Sequence, residues 1–290
     1  MHAKRALPLL LVVLALWAAK PAPPQAAAAD LLARENLVAW CIVPFDAAGR
    51  GPQERAEMLD RLGLRRLAYD WRAEHIPTFD DEVRAMREHD IEITAWWFPA
   101  GLNEHAEAIL DVLRRHELQT QLWVSMGDPA PDGGQAEKVR AAAAIVAPIA
   151  DRAAAIGCEV ALYNHGGWFG EPENQVAIIE ALGRANVGIV YNFHHGHHHI
   201  ERFADHLRTM QPHLVAINLN GMVLDGEDLG KKILPIGAGD QEEAMLRVLL
   251  ESGWHGPVGI LDHDSETDAE VTLRANLDGL DRLRAELDDR

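Results

Sequence analysis

From residue 37 onward the chain repeats one pattern. A short, mostly apolar run is followed by a longer segment whose apolar positions recur every three or four residues. The runs Leu37–Pro44, Arg65–Asp70, Ile91–Phe98, Gln119–Met126, Val160–His165, Val187–Phe193, Leu214–Asn220 and Val258–His263 read as strands, largely buried on both faces. The segments Pro52–Leu62, Thr78–Glu88, Asn103–His116, Gly134–Ile156, Glu173–Ala185, Glu201–Met210, Gln241–Glu251 and Asp268–Leu287 read as amphipathic helices. Helix-start chemistry supports two of these boundaries. Thr78 stands before Asp80, Asp81 and Glu82, and Pro172 precedes an acid-rich first turn. Strand and helix alternating in this way predict a single-domain (β/α)8 TIM barrel. An open doubly wound sheet would call for a glycine-rich first turn, and Pro44-Phe45-Asp46 is not one. The same absence argues against a nucleotide cofactor.

The first residues follow a different logic. His2, Lys4 and Arg5 precede the apolar run Ala6–Ala19, then Pro21, Pro23 and Pro24, then Ala26-Ala27-Ala28-Ala29-Asp30. This reads as a signal peptide over residues 1–29, with a mature barrel over 30–290 exported to the periplasm or the medium. The apolar run is shorter than the about 20 residues a membrane helix needs, so no membrane association is expected after cleavage. With 27 Lys and Arg against 45 Asp and Glu, the chain carries a net charge of −18. A nucleic-acid partner is therefore not expected, because binding a polyanion takes clustered positive charge. The two cysteines, Cys41 on strand one and Cys158 before strand five, fall on opposite sides of such a ring and should stay free. Oligomeric state leaves no readable signature.

In this fold the chemistry gathers where the strands end. His165, His194, His195 and His263 fall there, with Asp70, Arg72, Asn164, Glu171, Asn192, Asn218 and Asn220. Trp97, Trp123 and Trp168 fall there too. Aromatic faces beside hydrogen-bonding side chains suit a carbohydrate, which has apolar C–H faces and a polar rim.

Three stretches carry a resemblance: Tyr163-Asn164-His165-Gly166-Gly167, Glu171-Pro172-Glu173-Asn174 and Val190-Tyr191-Asn192-Phe193-His194-His195. With Ile217-Asn218-Leu219-Asn220-Gly221 and Gly256-Pro257-Val258-Gly259 further on, the chain resembles the xylose-isomerase-like barrel superfamily. That group contains sugar isomerases, epimerases and related endonucleases. The resemblance implies a divalent metal held by Glu, Asp, His and Glu on strands five to eight. At the matching places stand Tyr163, Asn192, Asn218 and about Leu261, so the anionic cage and the paired glutamates of the epimerases are missing. The family's Asp-x-x-His spacing survives as Asn192-x-x-His195.

Side chains alternate across a strand, so His165, His263 and His194 or His195 are candidates to converge at the mouth. Such a set could hold one divalent transition metal (zinc, iron, nickel or manganese). Alternatively, His165, His195 and His263 serve as acid–base groups. Of the run His194-His195-Gly196-His197-His198-His199, one or two imidazoles are expected to point into the site and the rest to be solvated. Gly237-Ala238-Gly239 reads as a tight turn. Three functions stay open. The first is an exported isomerase or epimerase that moves a proton next to a carbonyl of an unphosphorylated sugar or glycoside. The others are a 3-keto-glycoside lyase working by β-elimination, and a degenerate barrel that only binds sugar or metal.

Overall fold

The computed structural model describes residues 31–288; the expected signal segment lies outside them. Eight parallel strands close in chain order into a barrel: β1 Leu37–Trp40, β2 Arg66–Tyr69, β3 Glu92–Phe98, β4 Gln121–Val124, β5 Glu159–Tyr163, β6 Val187–Asn192, β7 Leu214–Leu219 and β8 Val258–Leu261. The ring is shut by β8 against β1, with Leu37 opposite Val258 and Trp40 opposite Leu261. Eight longer helices surround it: α1 Pro52–Leu62, α2 Phe79–Glu88, α3 Glu104–Arg115, α4 Gln135–Ala154, α5 Pro172–Leu182, α6 Phe203–Met210, α7 Glu242–Glu251 and α8 Ala269–Asp288. The expected barrel is therefore the observed one.

Two apolar layers follow from the strand alternation. Outward residues such as Leu67, Ile93, Leu162, Ile189 and Ile260 pack against the helices. Inward residues form a second cluster in the lumen. Small inward side chains, Ala68, Ala95, Ala161 and Ala216, lie two positions before Asp70, Trp97, Tyr163 and Asn218. The room they leave is taken by Trp40, Trp97, Trp123 and Tyr163. Trp40 meets Trp123 at 4.8 Å and 71°, and Trp97 meets Tyr163 at 5.0 Å and 88°, both edge to face.

Several boundaries differ from expectation, each for a local reason. The first strand stops at Trp40 rather than Pro44, because Cys41 turns the chain with φ +56°. The last stops at Leu261, and His263 turns at φ +84°. Helix α5 ends at Leu182 because Gly183 takes the left-handed C-cap conformation. The Thr78 hydroxyl caps nothing; it donates to the His75 carbonyl, and the acids of the next turn face the α2 amides without it. Cys41 and Cys158 are free and buried, as expected. At Gly237 the chain has φ +82°, and the amides of Gly237 and Gly239 both donate to Glu242 Oε1 at 3.0 and 2.9 Å. A side-chain carboxylate closes this turn from within, as a tight turn rather than a phosphate cradle. Among the described residues, no helix is long and apolar enough to cross a membrane.

One buried ion pair ties the first two helices together. Arg55 Nη1 lies 2.7 Å from Glu82 Oε2, both side chains almost wholly buried, and Arg55 Nη2 also donates to the Arg50 carbonyl. Losing one partner leaves a charge in a dry interior, which costs about 3–5 kcal/mol, whereas replacing both with apolar groups of similar volume costs far less. Glu82→Ala should thus lower the unfolding free energy by about 3–5 kcal/mol in urea melts, and the double variant Arg55→Met/Glu82→Met should recover most of that loss.

Candidate functional site

At the C-terminal mouth, a cavity of about 60 Å³ sits on the aromatic plug. Its floor is Trp40, Trp97 and Tyr163, and its walls carry Asp70, Arg72, His165, His195 and His263. A second cavity of about 440 Å³ adjoins it and shares His263; Leu234, Asp262, Asp264, Val271 and Asn276 are among its walls. Two further cavities, of about 460 and 350 Å³, share Arg66 and Pro257 at the opposite end of the barrel, where this fold places stability rather than catalysis.

Backbone strain aims His263. The Asp262 amide donates to the Trp40 carbonyl at 3.1 Å and the His263 amide to the Cys41 carbonyl at 3.3 Å, so the ends of β1 and β8 stay paired beyond the ladder. Both Cys41 and His263 have positive φ, a conformation that costs non-glycine residues about 1–3 kcal/mol and persists where neighbours enforce it. Here it turns the His263 ring flat onto Phe45, with centroids 4.1 Å apart and planes at 19°. The Arg72 guanidinium covers the same Phe45 ring at 5.5 Å and is braced by the Asp70 and Trp71 carbonyls.

Burial then sets the protonation states. Asp70 is 2% exposed; Oδ1 accepts from the Val43 amide at 3.3 Å and Oδ2 has no partner. Burial pushes its carboxyl up to about 7, against the pull of Arg72 and Arg55. Burial also raises Asp262 to about 7. The imidazoles move the other way: burial, then His165, takes His195 down to about 2. His194 is held well below its usual value by burial and then His195. His165 is lowered by burial and Lys232, and His263 chiefly by burial. Near neutral pH the mouth thus holds uncharged imidazoles beside carboxyls poised between their two forms.

The expected site residues divide into four groups. His165, His195, His263, Asp70, Arg72 and Trp97 share the cavity. Trp123 lies in the plug, its indole N–H donating to Gln121. The asparagines turn inward on one another. Asn164 Oδ1 accepts from the backbone and side-chain nitrogens of Asn192 at 2.7 and 2.8 Å, and Asn218 Nδ2 donates to Asn192 Oδ1 at 2.5 Å. Asn220 binds the Lys232 carbonyl and the Leu234 amide. Trp168 donates to Gln135, and Glu171 is taken up by His198 and His199, all outside the cavity. Phe45 and Trp40 went unnoticed in the sequence. Trp40 was readable, since it alternates with Val38 on the inner face of β1; Phe45 sits in an irregular loop and left no pattern.

The places where the resemblance implies a metal cage do not fit one. Tyr163 keeps its proton under burial, the Asn192 and Asn218 amides are bonded to each other, and Leu261 offers no donor. At the mouth, ring centroids of His165 and His195 are 4.5 Å apart, of His194 and His195 3.9 Å, and of His194 and His263 5.9 Å. Among the described residues, the set of three or more possible ligands whose donor atoms all lie within 4.8 Å is a different one, Glu171, His198 and His199. The fate of the histidine run also corrects the expectation that most of it is solvated: His194, His195, His197 and His199 are buried and only His198 is exposed. His197 is held by its two nitrogens against the Val223 and Lys232 carbonyls.

With this geometry in hand, comparison places the chain. The xylose isomerase-like TIM barrel family matches residues 45–283, and the protein belongs to that family. No curated protein matches its sequence. Among solved structures, the apo 3-keto-D-glucoside 4-epimerase YcjR from E. coli aligns at 15% identity and TM-score 0.64, over 87% of this chain and 99% of that one. The IOLI protein with a bound zinc atom aligns at 13% and 0.66, over 86% and 98%. A probable 3-DHS dehydratase, AsbF, from Bacillus anthracis aligns at 13% and 0.65, over 84% and 98%. At these identities the likeness is one of fold.

The raised Asp70 carboxyl makes a stability prediction. A carboxyl whose folded value lies above its ordinary 3.8 favours folding most at low pH, and that contribution is lost as pH climbs toward 7. Asp70→Asn should therefore be more stable than the parent at pH 8, by on the order of 3 kcal/mol, and the gain should vanish below about pH 4. Denaturant midpoints across that range read it directly.

Proposed function

We propose that this protein moves a proton next to a carbonyl of an unphosphorylated sugar or glycoside. The observation that carries the reading is the cavity itself, in which His165, His195, His263 and Asp70 line one space over an aromatic floor. A neutral imidazole open to the cavity can accept a proton from carbon, which suits His165 and His263. His195 is too depressed to serve as a base. As a neutral ring it can donate a hydrogen bond to the substrate oxygen as negative charge develops there. Asp70, half protonated near neutral pH, can deliver a proton to that oxygen and take one back. In isomerisation the base takes a proton from one carbon as Asp70 protonates the oxygen, then gives it to the neighbouring carbon as Asp70 takes back the other hydroxyl proton. In epimerisation Asp70 instead protonates the far face of the same carbon, and exchange with solvent resets base and acid. Isomerisation and epimerisation both fit that sequence. The epimerase and dehydratase names carried by proteins of the same fold accord with it.

The second cavity favours a substrate with two units. The 60 Å³ space takes the reacting edge, and the adjoining 440 Å³ space beyond His263 has room for the other half of a glycoside. A base at this junction could equally drive β-elimination from a 3-keto-glycoside, with Asp262 beside the departing group.

The test is solvent deuterium wash-in, followed by NMR, on a panel of ketoses and 3-keto-glycosides. His165→Ala or His263→Ala should reduce exchange about 10²–10⁴-fold, the usual contribution of a general base, while sugar binding persists. In the parent, kcat/KM should fall as pH rises through about 7 because protonated Asp70 is lost, and Asp70→Asn should lack that limb. Tight sugar binding with no exchange on any substrate would replace this reading with that of a binding protein.

A further inference from the structure

Outside the mouth, the loops after β5 and β6 bring a carboxylate and two imidazoles together. Glu171 precedes α5, and His198 and His199 lie in the short 3-10 helix His197–Arg202. His198 Nε2 stands 3.2 Å from Glu171 Oε1 and His199 Nε2 stands 3.1 Å from Glu171 Oε2. The two rings are 3.9 Å apart. We propose that Glu171, His198 and His199 form a zinc-type metal site that clamps the β5–α5 loop to the β6–α6 loop.

The donor set is of the right kind. Two imidazoles and one carboxylate, with a fourth position left for water, are a familiar zinc arrangement. His199 is also supported from behind. It is 3% exposed, and its Nδ1 lies 2.9 Å from the Tyr191 hydroxyl. A metal-binding imidazole needs its other nitrogen engaged, since that bond fixes the tautomer and the ring direction. The hydroxyl can do this in both states. Without metal it donates to Nδ1 while Nε2–H points to Glu171; with metal, the ring proton moves to Nδ1 and the hydroxyl accepts it. No proton need leave His199. Gly196 permits the arrangement, because a Cβ there would fall 2.4 Å from the Tyr191 oxygen. His206 packs behind His199 with centroids 4.3 Å apart, and its Nδ1 lies 3.1 Å from Glu173 Oε1. The site is separate from the mouth: none of its ligands lines the cavity. It shares with the mouth the two loops that carry His165 and His195.

The experiment uses untagged full-length protein, stripped by chelator and titrated with zinc, with cobalt(II) as the optical reporter. One equivalent should bind, with a visible cobalt spectrum of low coordination number, and zinc should raise the melting temperature. Glu171→Gln and His198→Ala reach the surface and leave the core intact; each should weaken binding at least tenfold and remove the melting shift. Tyr191→Phe should weaken it roughly 10- to 100-fold, the usual cost of losing such a supporting bond, without touching a ligand. His165→Ala and His263→Ala should bind as the parent does, whatever they do to sugar turnover, so this result stands apart from the proposed activity. Failure to bind would overturn the proposal. So would uptake that Glu171→Gln and His198→Ala leave unchanged, whether it then followed the mouth histidines or scattered along the histidine run.

Discussion

Trp40, Trp97, Trp123 and Tyr163, packed edge to face inside the upper barrel, keep water away from the floor on which the functional loops close. Everything at the mouth depends on that dryness. Asp70 holds its proton up to about 7 because the charged form would have to sit on this plug, and the imidazoles stay neutral for the same reason. The plug in turn depends on the alanines two positions before it on neighbouring strands. With Leu or Ile in their place, large rings could not occupy the lumen at native packing density without strain.

Much of the architecture was legible because it rests on periodicity. Eight strand–helix alternations imposed the barrel, and the inward and outward positions followed from the two-residue repeat. The ends of the elements were less legible. Cys41 and His263 leave the sheet with positive φ, and nothing in those residue types announces it. That turn also carries His263 onto Phe45. Gly183 was a readable stop that the apolar pattern of α5 masked.

The site was legible by residue type more than by role. Histidines, Asp70 and Arg72 at strand ends do meet in one cavity. The asparagines illustrate what composition hides. An amide can donate and accept at once, so Asn164, Asn192 and Asn218 bond along a ladder, and Asn218 Oδ1, without a partner, is turned against Gly259 rather than toward the cavity. No pairwise pattern in the chain distinguishes an amide that greets a sugar from one that greets its neighbour. The histidine run hides a similar ambiguity, since identical side chains serve the cavity, a carbonyl clamp and the Glu171 cluster.

The asparagine ladder also makes carboxylates hard to place on these strands. Asn192 donates to Asn164 Oδ1 through its side-chain nitrogen and accepts from Asn218 through its oxygen. An aspartate there would turn lone pairs toward the Asn164 oxygen, and a histidine at Asn218, the residue the resemblance implies, would have to replace the donor that Asn192 Oδ1 now receives. The space beside Asn218 is already sealed, since a Cβ at Gly259 would lie 1.7 Å from Asn218 Oδ1. A lone Asn192→Asp change therefore places oxygen against oxygen in a buried position. An acidic centre on these strands would therefore require Asn164, Asn192 and Asn218 to change together, whereas His165, His195 and His263 at the rim take no part in the ladder.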